Sequence, residues 1–183
     1  CLLVLTRDKL IAARDPQGFR PLCLGRFKDS YVVASESCAF DIIGGTYLRD
    51  IEPGEMVILD GNGLVSRRLA PKGRVTQCVF EHIYFSRPDS TVFGESVDEI
   101  RRRCGAVLGQ ESPADADFVC SVPDSSNTAT LGYAQETGLP FELGLIRNHY
   151  VGRTFISPAQ KVRDMSVRIK FNPVQRILAG KRV

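Results

Sequence analysis

The feature that most constrains this chain is a change of rhythm near residue 70. Before it, short apolar runs are broken by Arg7-Asp8-Lys9, Asp15-Pro16-Gln17-Gly18, Lys28-Asp29-Ser30, Glu52-Pro53-Gly54 and Asp60-Gly61-Asn62-Gly63. Breaks of this chemistry at this spacing predict short strands joined by turns. Met56-Val57-Ile58-Leu59 and Leu64-Val65-Ser66-Arg67 flank the last break as a hairpin, and one short helix is expected over Cys38–Ile43. Beyond the change, strand-like and helix-like segments alternate. Strands are expected at 78–84, 118–122 and 141–146, and a helix over 128–137 closed by Gly138. Ser96-Val97-Asp98-Glu99 reads as a capping box, with Ser96 accepting from the Glu99 amide. Val97, Ile100, Cys104, Val107 and Leu108 then fall on one helical face. Alternating strands and helices predict a parallel sheet with helices on its faces. The expected architecture is therefore α+β followed by α/β. Its two domains cover residues 1–70 and 71–183, with Pro71-Lys72-Gly73-Arg74 as the linker.

Composition excludes some classes of function. With 43% hydrophobic and 25% charged residues, the 183-residue chain is neither disordered nor membrane-spanning in make-up. No apolar run approaches the ~20 residues of a membrane helix. Six cysteines stand apart at positions 1, 23, 38, 78, 104 and 120, with no Cys-x-x-Cys pair. That is no disulfide framework, and the expected compartment is the cytoplasm.

Charge is unevenly placed. From Arg147 to the end there are nine Lys/Arg and one acid, Asp164, a balance of +8, while residues 1–146 carry −5. So dense a basic tail expects phosphate. At its start, Leu143-Gly144-Leu145-Ile146 reads as a strand, followed by Arg147-Asn148-His149-Tyr150-Val151-Gly152-Arg153-Thr154. There the cationic, aromatic and glycine residues follow neither a 2- nor a 3.6-residue period, which suits a mobile flap closing over a polyanion. Arg153 and Tyr150 are its candidates for closure, and His149 would make closure pH-sensitive. Arg101-Arg102-Arg103 reads as the wet face of its helix.

Val122-Pro123-Asp124-Ser125-Ser126-Asn127-Thr128 joins an apolar strand to a helix. In open α/β sheets this is the edge where ligands bind. Ser125, Ser126 and Asn127 offer hydroxyl and amide groups beside a helix amino terminus, whose free N–H groups and dipole favour anions. The competing reading, equally open from the residues, is that Ser or Asn merely caps the helix. The loop lacks the Gly-x-x-x-x-Gly-Lys pattern of ATP-type phosphate loops.

Residues 147–156, with Val122-Pro123-Asp124-Ser125-Ser126 and Tyr84-Phe85-Ser86-Arg87-Pro88-Asp89-Ser90, resemble the amidophosphoribosyltransferases, the glutamine-dependent glycosyltransferases that open purine (IMP) biosynthesis. Arg14-Asp15-Pro16-Gln17-Gly18-Phe19-Arg20-Pro21-Leu22 and Ala34-Ser35-Glu36-Ser37-Cys38-Ala39 resemble the glutaminase half of the same family. The likeness runs in order from end to end. It implies an internal fragment of a longer enzyme: the carboxyl-terminal part of an amino-terminal-nucleophile glutaminase domain, then the first half of a type I phosphoribosyltransferase parallel sheet.

The resemblance also implies substrates and sites. The parent would join phosphoribosyl pyrophosphate to ammonia from glutamine, as a homo-oligomer, without nucleic acid or membrane. Asp124, Ser125, Ser126, Tyr150, Arg153 and Thr154 would bind substrate, with Ser125 a Mg2+ ligand, a role a hydroxyl oxygen can fill in part. No catalytic residue is expected here, since the nucleophilic cysteine lies upstream and Cys1 matches an internal position. Asn62-Gly63 is a turn and no substitute for the oxyanion donors. Cys78 occupies a position that supplies one ligand to a [4Fe–4S] cluster in some members, a cluster needing about four thiolates. The alternative is a non-catalytic phosphoribosyl-fold regulator or an RNA-binding module gripping through the basic tail, although no stacking-sheet signature supports the latter.

Overall fold

A computed structural model describes residues 1–71, 73–152, 154 and 158–183. They divide into two compact units, Cys1–Ile100 and Arg101–Val183. In the first unit, β1 (Leu2–Leu5), β2 (Lys9–Ala13), β3 (Cys23–Phe27) and β4 (Ser30–Ala34) precede α1 (Cys38–Ile43). Then come β5 (Thr46–Asp50), β6 (Glu55–Asp60) and β7 (Gly63–Arg68). All pairing among them is antiparallel, in sheets of order β1-β2-β6-β7 and β4-β3-β5.

Ala12, Leu22, Leu24, Ile51, Val57 and Leu59 form the core, with Leu10, Tyr31, Val33 and Leu64 packed against it. Every second residue of β6 is buried, as a strand with one covered face requires. Each fully buried aliphatic residue contributes about 1.5–3 kcal/mol. Phe40 of α1, 1% exposed, lies on Gly25, where a Cβ would meet its ring at 2.8 Å. The expected helix and the β6–β7 hairpin are both present; its turn is Gly61-Asn62, so Gly63, expected in the turn, instead begins β7 opposite Asp60, at φ +114°. β1 is the exception to good burial, since all four of its residues are exposed.

Buried polar groups hold the loops. Arg14, 4% exposed, donates to the carbonyls of Arg20, Ile51 and Gly18, drawing the Asp15–Phe19 turn together. Glu55, 5% exposed, accepts from Arg49 at 2.8 and 2.9 Å, from Ser66 at 2.6 Å and from the Glu52 amide at 2.7 Å.

The two compact units divide after Ile100, since the stretch that follows residue 70 bonds back to the rest of the first unit. The amides of Gly73, Thr76 and Cys78 donate to the carbonyls of Pro16, Gln17 and Phe19. Glu36 accepts from the Arg87 amide and the Ser90 hydroxyl, and Ser37 accepts from the Thr91 amide.

Where a strand was expected over 78–84, the chain forms a π-helical turn, Glu81–Phe85. Glu81 is drawn inside, 2% exposed, by Arg20 Nε at 2.6 Å and the Ser86 hydroxyl at 2.9 Å. The Ser86 amide closes the turn on the Glu81 carbonyl. One buried acid thus overrides strand alternation and leaves Val79, Phe80, Ile83, Tyr84 and Phe85 exposed. A two-residue-strand hairpin follows, β8 (Thr91–Val92) and β9 (Glu95–Ser96).

α2 (Val97–Glu111) spans the division, and Ser96 accepts from the Glu99 amide as expected. Its expected apolar face is not the one that packs in the second unit. Cys104, Val107 and Leu108 are exposed, whereas Arg101, Gly105 and Gly109 are buried. The reason is close approach to α3 (Asn127–Thr137): a Cβ on Gly105 would sit 1.8 Å from the Ala129 carbonyl oxygen, and one on Gly132 2.0 Å from that of Arg102. Arg101, at 4% exposure, is therefore not on a wet face. Gly138 closes α3 in the left-handed conformation, as expected.

The expected strand at 118–122 is extended chain, joined to the next segment by the single parallel bridge Val119–Phe141. Among the described residues this bridge is all there is of the expected parallel sheet. The strand expected over 141–146 begins only at β10 (Leu145–Arg147), because the Gly144 amide turns back onto the Glu142 carbonyl. β10 pairs antiparallel with β11 (Phe171–Pro173), which follows α4 (Gln160–Lys170) and precedes α5 (Gln175–Leu178). The second unit is thus mixed α/β with small antiparallel pairing.

Candidate anion site at the amino end of α3

The loop from Ser121 to Asn127 leads into α3. Ser121 is buried and donates to Asn127 Oδ1 at 2.7 Å, anchoring the extended segment to the first turn of the helix. The Asn127 amide donates to the Asp124 carbonyl, and the peptide between Pro123 and Asp124 is cis. Ser126 occupies the N-cap position but makes no side-chain cap; its hydroxyl donates back to the Val122 carbonyl at 2.5 Å. The simple capping explanation for these serines therefore fails. Ser125 and Asp124 are exposed in the turn. An uncapped helix start with an exposed hydroxyl beside it is chemistry suited to an oxyanion.

Arg147, the last residue of β10, reaches this loop and places Nη1 2.5 Å from Asp124 Oδ2. Its Nε is buried without a hydrogen-bond partner. Arg147 was absent from the expected binding residues, and its signal was its place at the end of an apolar run.

The flap residues are only partly brought to the loop. Asn148 begins a turn, bonding its amide to the Lys170 carbonyl and accepting the Tyr150 amide on its side chain. Tyr150 is fully exposed and His149 is exposed. Thr154 is buried, 4% exposed, with its hydroxyl unpartnered. Among the described residues no hydrogen bond joins Tyr150 or Thr154 to the loop. Arg153 lies outside the described residues.

Metal ligands can be tested against the same geometry. Among the described residues no three of His, Cys, Asp and Glu converge to hold a metal ion. Ser125 fits Mg2+ only as one hydroxyl ligand of a cation whose other oxygens come from phosphate and water. Cys78, half-buried before the π-helical turn, fits a cluster as one ligand of four and no more.

Cys23 and Cys38 are buried. Burial pushes the Cys23 thiol up to about 12, and burial also raises Cys38, so neither is a thiolate at neutral pH. All six cysteines are free. Among the described residues the Cys1 thiol donates to the carbonyls of Arg20 and Pro21. No described helix is long and apolar enough to cross a membrane.

No family model matches the chain. It is 54% identical over 183 residues to "Amidophosphoribosyltransferase 1, chloroplastic" of Arabidopsis thaliana, covering all of this chain and 32% of that protein. Against the amidophosphoribosyltransferase of Archaeoglobus fulgidus it is 51% identical over 182 residues, 40% of that protein. Among solved structures, glutamine phosphoribosylpyrophosphate amidotransferase from B. subtilis, complexed with ADP and GMP, matches with a TM-score of 0.89 and 51% identity. That match covers 99% of this chain and 40% of the other. The chain thus spans between a third and two fifths of the proteins it resembles.

Proposed function

We propose that this chain is an internal part of an amidophosphoribosyltransferase, the enzyme that makes 5-phosphoribosylamine from phosphoribosyl pyrophosphate and glutamine in the first step of purine synthesis. The observation that carries the reading is identity above one half along the whole chain to proteins of that name. The uncapped start of α3 gives it a chemical site. Residues 1–70 are assigned to the end of the glutaminase domain and residues 71–183 to the beginning of the phosphoribosyltransferase domain. The glutamine-cleaving cysteine is assigned to chain upstream, and the piece by itself to no activity. Free thiols throughout suit a reducing compartment such as the cytoplasm, although several plant relatives are named chloroplastic. Assembly with copies of itself belongs to the same reading.

In this reading ammonia attacks the anomeric carbon of the ribose as pyrophosphate departs. Positive charge grows on the sugar and negative charge on the leaving group. The amino end of α3 and the Ser125 hydroxyl face the pyrophosphate, where donors fixed in advance lower the barrier, and Ser126 contributes to the same turn while its hydroxyl holds the Val122 carbonyl. Asp124 shapes the same turn through its carbonyl, which accepts the Asn127 amide. Mg2+, when bound, neutralises phosphate oxygens, with Ser125 as its protein ligand. Tyr150, Arg153 and Thr154 belong to the flap that closes over the substrate and excludes water.

Ser125→Ala in the full-length enzyme tests the assignment. Phosphoribosylamine formation should fall roughly 10- to 1000-fold, the range for losing one polar contact to developing charge, with a raised Mg2+ requirement. Unchanged transfer would remove the loop from the phosphoribosyl site. Salt-steep binding of RNA by the same protein would then favour the binding-module reading.

A further inference from the structure

The Arg147–Asp124 ion pair joins the turn before α3 to the end of β10. Asp124 lies in the turn before α3, and its carboxylate, half-exposed, stands where a polyanion would arrive. An unneutralised acid there opposes pyrophosphate, since two like charges several ångströms apart near a protein surface repel by a few-fold to a hundred-fold in affinity. Arg147 cancels that charge from β10, immediately before the Asn148 turn that opens the flap. β10 is itself held by β11 through the Leu145–Pro173, Ile146–Asn172 and Arg147–Phe171 register, so the guanidinium comes from a fixed strand.

We propose that Arg147 is a positioning residue for phosphoribosyl transfer: it neutralises Asp124 at the mouth of the anion site and ties that loop to the root of the flap. The inference rests on the site assigned above and adds how that site is kept receptive. Arg147 acts through Asp124, not on the substrate. A pair this exposed adds little to folding, so its role is read in binding.

The test is a mutant cycle in the full-length enzyme, reading KM for phosphoribosyl pyrophosphate, kcat and melting temperature. Arg147→Ala should raise KM about 10- to 100-fold while kcat changes far less, the size expected for exposing one like charge. Melting temperature should move by no more than about 3 °C. Arg147→Lys, which keeps the charge, should recover most of the loss. Asp124→Asn should weaken binding only a few-fold, and the double variant should match Asp124→Asn alone, because the repelling charge has gone. Additive losses in the double variant would overturn the proposal by making Arg147 a direct substrate contact. A KM loss that tracks a large drop in melting temperature would overturn it in favour of a structural role. Failure of Ser125→Ala to affect transfer would instead remove the whole site, a result distinct from failure of the cycle alone.

Discussion

Glu55 illustrates how one residue can be fully committed to stability. Burial opposes its ionisation, but hydrogen bonds from Arg49, Ser66 and the Glu52 amide outweigh burial and hold its pKa down to about 2, against 4.5 for a free glutamate. The folded-state value is depressed, so the stabilisation is complete above about pH 4.5 and is lost as pH falls toward 2. At neutral pH it amounts to about 3 kcal/mol at most. Urea unfolding of the parent and of Glu55→Gln should differ most near pH 7 and converge near pH 2. A gap that stays constant over that range would show that the carboxylate charge is not what stabilises. Nothing in the Glu52-Pro53-Gly54-Glu55 stretch beyond a turn signal announced this role, because Ser66 meets Glu55 only after β7 pairs with β6, and Arg49 reaches it from β5 of the other sheet. Arg147 escaped attention for the same reason. Its partner Asp124 lies 23 residues away, and no local period connects them.

Among the elements, the α2–α3 crossing separates propensity from packing. In an isolated helix Gly→Ala is favourable by about 1 kcal/mol. At Gly105 the new methyl would meet the Ala129 carbonyl oxygen at 1.8 Å, a contact the backbone of α3 must move to relieve. Overpacking of this kind costs about 1–3 kcal/mol or more and outweighs the gain in propensity. Gly105→Ala should therefore lower the urea midpoint of the chain, whereas a raised midpoint would mean that the helices do not touch there. The strand-and-turn half of the chain was legible because its breaks are local chemistry, and β6–β7, α1, the Ser96 cap and the Gly138 stop all lie where the residues put them. The buried face of α2 was not. Hydrophobic periodicity finds the side chains that need cover, but a glycine contact is made by the absence of side chains. The stretch at 78–84 misled for another reason, since a buried acid can turn an apolar run outward.

For the molecule as a whole, the site is legible as a loop and only partly as a constellation: Asp124, Ser125 and Ser126 share a turn, and Tyr150 stands apart in solvent. The cluster that the family resemblance implies belongs to this scale too, because Cys78 can supply one ligand and the remaining thiolates would come from elsewhere in a longer protein. Full-length protein purified without air should carry about four iron atoms per chain if three further cysteines are present to join Cys78, and Cys78→Ser should lose them. Iron-free protein with those cysteines in place would leave Cys78 as packing alone. The π-helical turn adds a last consequence. It is built with polarity reversed, its carboxylate drawn in while its arginine partner stays half-exposed and five apolar and aromatic side chains face out. The cost of stripping water from Glu81 is met when the chain folds. A surface laid on that aromatic shelf would gain the return of apolar burial but would also have to dehydrate Arg20, half-exposed with its guanidinium 4.9 Å from the centroid of the Phe85 ring.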